Sequence, residues 1–190
     1  MRGDSKKPWK RVQSDIHTPV RSRAGKRHNK HSSMTATTTT ALDVSKYFIA
    51  LSQKEGGAVT NKKLQKLLYY AQAWSLALND KKLFDDPIEA WVHGPAVREI
   101  YLRYKDFGPS AIKEDIDFAS LRIPEEGQKI LKEVWRVYGK YDGNYLELLT
   151  HSEQPWQQAR AGLEPDEGSA NVIDPDTMRD FYRAKLGPAK

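Results

Sequence analysis

After residue 40, apolar positions recur with helical spacing along most of the chain. Val44, Tyr47, Phe48 and Leu51 fall at i, i+3, i+4 and i+7, one face of a helix that Asp43 is placed to cap and Gly56-Gly57 to stop. Thr60 is placed to cap a second helix, striped by Leu64, Leu67, Leu68, Ala71, Ser75 and Leu78. Tyr69, Tyr70, Ala73, Trp74 and Leu76 widen that stripe over most of the circumference, which predicts the central helix of a bundle. Lys62, Lys63 and Lys66 stand in its first turns, where the helix dipole disfavours cations by a few tenths of a kcal/mol; burial of the Leu and aromatic groups outweighs that. Asn79-Asp80 ends it. Leu83-Phe84 and Ile88 to His93 predict two short extended pieces around a turn at Asp85-Asp86-Pro87. Pro95 is then placed to open a helix with Val97, Ile100, Tyr101 and Tyr104 inward, broken at Gly108-Pro109.

Residues 110–124, with Ile112, Ile116, Phe118, Leu121 and Ile123, read either as a short helix or as a packed loop. A stronger helix runs from Pro124 to about Tyr138, with Ile130, Leu131, Val134, Trp135 and Tyr138 inward. Gly139 and Gly143 bracket a connection to a short helix from Asn144 to His151 that carries Tyr145, Leu148 and Leu149. Pro155-Trp156 begins a further turn or two, and Gly162 to Asn171 is an acidic loop. Asp174-Pro175 caps a last helix with Met178, Phe181 and Tyr182 inward. The pattern predicts a mainly α fold: a compact bundle of six or seven helices with at most a small two-stranded β ribbon. The alternating strand–helix rhythm of a parallel-sheet enzyme is absent.

Charge divides the chain. The formal net charge of the 190 residues is +6, yet residues 1–40 hold ten Lys/Arg against Asp4 and Asp15, and residues 41–190 carry a net −2. Eight of the first forty residues are apolar, and eighteen of the nineteen aromatics come later. So polar a segment cannot offset the entropy of ordering, so residues 1–40 are expected to be a disordered basic tail, 41–186 a helical domain and 187–190 a frayed end. Lys26 to Lys30 weakly resembles a nuclear-localisation run, and the acid-poor tail weakly resembles a transit peptide. Met34, directly before the domain, is a possible native start. No stretch is long and apolar enough for a membrane span, which takes about 20 residues; Gln72 and Ser75 interrupt the richest run.

Reactive chemistry finds little support. With no Cys, thiolate metal sites and cysteine nucleophiles are excluded. His17, His28 and His31 lie in the tail, and His93 and His151 of the domain sit in no metal-binding spacing. Neither a G-x-S-x-G turn nor a phosphate-cradling glycine loop is present. The carboxylate groups Asp85-Asp86, Glu114-Asp115-Asp117 and Glu164-Asp166-Glu167 read as solvated surface. Lys62, Lys63 and Lys66 near Tyr69, Tyr70 and Trp74 suggest nucleic acid, but the aromatics read as core and the net −2 opposes a phosphate-binding surface. Nucleic-acid binding is left to the tail alone, non-specifically, and a nucleic-acid-binding regulator using that tail is an alternative function. His93 reads either as a turn histidine bonding local backbone or as a contact residue on a partner-facing edge.

Three motifs carry a family likeness. Leu64-Gln65-Lys66-Leu67-Leu68-Tyr69-Tyr70-Ala71-Gln72-Ala73-Trp74 resembles the helix signature of the Panacea domain, the SocA/GepA-like antitoxin domain. Trp91, His93, Gly94, Pro95 and Tyr101 match its second motif, with Ala96 where Val is common, and His151, Pro155 and Trp156 match its third. Order and spacing agree over about residues 42–184. The resemblance implies a bacterial or phage cytoplasmic protein of helical fold, with no catalysis and no cofactor. It implies an antitoxin that neutralises a protein toxin encoded beside it, by direct binding or as an adaptor delivering the toxin to a ClpXP-type protease. The motif residues read as fold-defining. Toxin contacts are expected in exposed stretches such as 105–124 or 161–173.

Overall fold

In the computed structural model, described here for residues 39–186, six helices surround one long central helix, with a single two-stranded hairpin among the described residues. The helices are α1 (Ala41–Lys54), α2 (Asn61–Asn79), α3 (Arg98–Tyr104), α4 (Glu125–Tyr138), α5 (Gly143–His151), α6 (Gln154–Ala159) and α7 (Pro175–Leu186). Strands β1 (Glu89–Trp91) and β2 (Gly94–Ala96) pair antiparallel between α2 and α3, in the register Glu89–Ala96, Ala90–Pro95, Trp91–Gly94. The basic tail, its Lys26–Lys30 run, Met34 and residues 187–190 lie outside the described residues.

Helix α2 is the axis. It packs against α7, α4, α5, β2, α1 and α3 and is buried from Lys63 to Ala77. Its stripe of Leu64, Leu67, Leu68 and Ala71 meets Ile130, Leu131 and Val134 of α4, Leu146 of α5 and Met178 and Tyr182 of α7 in one core. Tyr70 stacks flat on Tyr138 at 3.8 Å, and Trp74 meets Tyr182 edge-on at 5.0 Å. The two polar interruptions of the apolar run serve the following loop. Gln72 accepts from the Leu83 and Phe84 amides and donates to the Phe84 carbonyl, and the Ser75 hydroxyl donates to the Lys81 carbonyl. Asp80 ends the helix in a left-handed conformation at φ 57°, which an Asp tolerates.

Several sequence expectations need correction. The cap of α1 is Thr40, not Asp43. Asp43 is the third helical residue, and the two form a reciprocal capping box in which each side chain accepts from the other's amide. The ribbon is not built from Leu83-Phe84 around Asp85-Asp86-Pro87. It pairs Glu89–Trp91 with Gly94–Ala96 across Val92-His93, because Gly94 adopts φ +89° and turns the chain there. Pro95 opens no helix; it lies in β2, and α3 begins at Arg98. The position suits proline because Ala90, opposite it, sends its N–H outward to the Asn171 carbonyl, so that this pair exchanges no ladder bonds.

Other differences are of facing. Tyr101 of α3 is exposed rather than inward. On α5 the buried large apolar residue is Leu146, whereas Tyr145 and Leu148 face solvent. Trp135 and Phe181 are half-buried at the rim of the core. Residues 110–124 form a packed loop with one 3-10 turn, anchored by the buried Ile112 and Ile123.

Candidate functional site

The three motifs meet at one place, where the hairpin lies across the first half of α2 and is closed over by α5 and α6. Lys66 points from α2 under the turn. Its ammonium is wholly buried and donates to the Pro95 carbonyl at 3.0 Å. Gly94 lies directly above it. A β-carbon there would stand 2.8 Å from Lys66 Cε and 2.8 Å from Thr150 Oγ1, so both the positive φ and the close approach require glycine. Gln65, one residue before Lys66, accepts from the Val97 amide at 2.9 Å and fixes the exit from β2. Leu64, Leu67, Leu68 and Tyr70 of the first motif are core residues.

The third motif closes the other side. The Trp156 indole donates to the Trp91 carbonyl at 3.0 Å, and its ring stacks on His151 at 4.1 Å. Pro155 is buried in the first turn of α6, where its missing N–H is not needed. The Tyr69 hydroxyl donates to the Glu153 carboxylate at 2.9 Å, the Tyr182 hydroxyl to the same oxygen at 2.7 Å, and Lys185 to the other oxygen at 3.0 Å. A buried carboxylate with three donors joins α2, the α5–α6 junction and α7.

Electrostatics follow from this enclosure. Burial drives the Lys66 ammonium down to about 7, with nearby Lys62 adding to the effect and Glu147 opposing it. Burial also raises Glu147, but hydrogen bonds from Lys62 and His93 outweigh it, and its carboxyl titrates below the ordinary value. His151 is lowered, chiefly by burial, and its Nε2 is buried without a hydrogen-bond partner. The Tyr69 and Tyr182 hydroxyls are pushed well up by burial and by the Glu153 charge. This set of groups holds the fold together and encloses Lys66.

What faces solvent is the outer surface of the hairpin. Trp91 is half-buried and meets the exposed Tyr101 edge-on at 4.9 Å. Arg98 lies over the Trp91 ring at 5.4 Å and pairs with Glu89 at 2.8 Å. His93 is 75% exposed and bonds Glu147 of α5 at 3.0 Å, rather than local backbone. A shallow groove runs between Trp91, His93 and Arg98 on one side and Asp166 to Ala170 of the acidic loop on the other. Arg160 was not singled out by sequence reading, yet it is the buried post of this loop. It donates to the Ala90 carbonyl at 3.1 Å and to the Glu164 and Glu167 carbonyls at 3.0 and 2.8 Å. Glu153, equally unmarked, lies inside the third motif. Both are charged residues flanking an apolar Pro-Trp pair, and that juxtaposition was the available signal.

Among the described residues no three His, Asp or Glu gather as metal ligands, and no helix is long and apolar enough to cross a membrane. The molecule is a helical scaffold whose signature polar residues tie the hairpin to the bundle, and whose hairpin and α3 together present an aromatic and arginine edge. The family model for the SocA-like antitoxin, Panacea domain, matches residues 64–157, the span that contains all three motifs. Antitoxin SocA of Caulobacter vibrioides (strain NA1000 / CB15N) is 30% identical over 137 residues, covering 66% of this chain and 72% of the relative. The chain belongs to the SocA-like, Panacea-domain antitoxin family. No solved structure matches it significantly.

Proposed function

We propose that this protein neutralises a protein toxin encoded beside it by direct binding, and that it has no catalytic activity of its own. The family relationship supports the antitoxin role. The observation that carries direct binding is the hairpin edge, where Trp91, Tyr101 and Arg98 form a cluster of the residue types that dominate binding energy at interfaces. The cluster stands on a backbone fixed by Lys66, Gly94 and Trp156, so little ordering entropy is lost on docking. Co-expression with the neighbouring gene tests the reading. The neighbour is expected to be toxic alone and harmless with this protein, and Tyr101→Ala with Arg98→Ala to reduce protection while leaving the helical signal unchanged. A harmless neighbour, or one as toxic in the presence of this protein, overturns it. Toxin half-life in the same cells separates blockade from delivery to a protease: blockade leaves it unchanged.

A further inference from the structure

Away from the hairpin, α4 carries Lys129, Lys132 and Arg136 at spacings of three and four along its outer face, and Lys140 follows in the turn just past its end. Beside them lies an open groove between α4 and the end of α1. Leu51 and Trp135 supply its apolar floor, Lys132, Arg136 and Lys140 its basic rim. Trp135 is held rigidly. Its inner side stacks on Phe48 at 6.3 Å, Lys63 lies 5.2 Å from its ring, and its indole N–H donates to Glu55 at 2.7 Å. Lys129 pairs with Glu125 and Arg136 with Glu133, whereas Lys132 and Lys140 have no carboxylate within ion-pair distance among the described residues.

We propose that this groove docks an acidic segment of a partner protein, one with an apolar side chain for the Trp135–Leu51 floor and carboxylates for the Lys132, Arg136 and Lys140 rim. Charge complementarity selects the occupant. Residues 41–190 are net −2, so a concentration of three cations around one aromatic departs from the rest of the surface. A polyphosphate fits less well, because it carries no apolar side chain for the Trp135–Leu51 floor. The inference rests on the reading of the chain as a binder of a protein toxin, and it adds a second face that shares no residue with the hairpin groove.

The test has two arms. In the first, the full-length protein is titrated with a short fluorescent peptide of glutamates interspersed with leucines, with an all-glutamate peptide and with single-stranded oligothymidylate. The mixed peptide is expected to bind more tightly than the all-glutamate peptide, and Lys132→Glu with Arg136→Glu to weaken it about tenfold or more while changing oligothymidylate binding, which the basic tail supports, far less. Unchanged peptide binding by the double variant, or an equal or larger loss of oligothymidylate binding, overturns the proposal. Both positions are exposed, and an unchanged melting temperature shows that the variant is folded; Lys132→Gln, a milder change, is expected to give an intermediate loss. In the second arm the neighbouring gene's product is the ligand. Its binding to the parent protein but not to the double variant supports the proposal; equal binding with equal salt dependence overturns it. Failure of the parent protein to bind that product, with the peptide result intact, refutes the toxin reading and leaves the groove standing.

Discussion

At the scale of the residue, Gly94 and Lys66 depend on each other. Gly94→Ala forces a side chain into a left-handed conformation and against Lys66 and Thr150. The two effects together should cost about 3 kcal/mol, which for a domain of this size lowers the unfolding midpoint by roughly 6–12 °C in a calorimetric scan. Lys66 makes stability depend on pH. Its folded value is about 7, below the ordinary 10.5. The unfolded chain therefore binds more protons between these values, and stability rises with pH from about 7 toward 10. Below about 7 both states are protonated and the burden of the buried charge is constant. Lys66→Met should flatten the rise in midpoint between pH 7 and 9 and raise the midpoint at pH 6, since it removes a buried cation. An unchanged slope in the variant would count against Lys66 as its source. Little of this was legible in the sequence: Lys66 stood in the first motif beside apolar neighbours, but only the returning hairpin buries it.

At the scale of the element, the helices were readable where one apolar face decided them, and misread where a local rule competed with a distant partner. Thr60 could be read as a cap because no acidic residue follows it in the first turn to compete. Thr40 could not, because Asp43 is itself a good cap and only the geometry shows the two acting reciprocally. Pro95 satisfied a helix-start rule, yet the bond from Ala90 to Asn171, 81 residues further on, puts it in a strand. The same long-range logic governs Glu153, which gathers donors from α2 and α7. Glu153→Gln replaces a charged acceptor of three hydrogen bonds by a neutral amide. A loss of about 2–3 kcal/mol is expected in urea unfolding. Tyr182→Phe removes one of the three bonds without changing the charge and should cost about 1 kcal/mol.

At the scale of the whole molecule, the bundle and its central helix were foreshadowed by the all-round apolar surface of α2. The exposed faces were not, because periodicity says which residues turn inward and not which outward ones assemble. The acidic loop at 161–173 was expected to contribute contacts, and it borders the hairpin groove; nothing in its sequence said that Arg160 would pin it there. We further propose that residues 41–186, the helical domain expected from the sequence, fold as one unit. A variant lacking residues 1–33 should then melt at the same temperature as the full chain and retain protection in co-expression; a lower midpoint would assign those residues a structural role.

The convergence of the motifs on one another has a cellular consequence. A substitution at Gly94, Glu153 or Trp156 meets its test during folding, before any partner arrives, and its product is open to proteolytic clearance. It would register as scarcity of the protein, whatever toxin is present. On the proposed reading, a substitution at Tyr101, Arg98 or Lys132 should leave the amount of protein untouched and be felt only when the partner is made. Paired measurements of abundance and of survival across many variants would therefore separate the scaffold from its working faces without a structure of the complex.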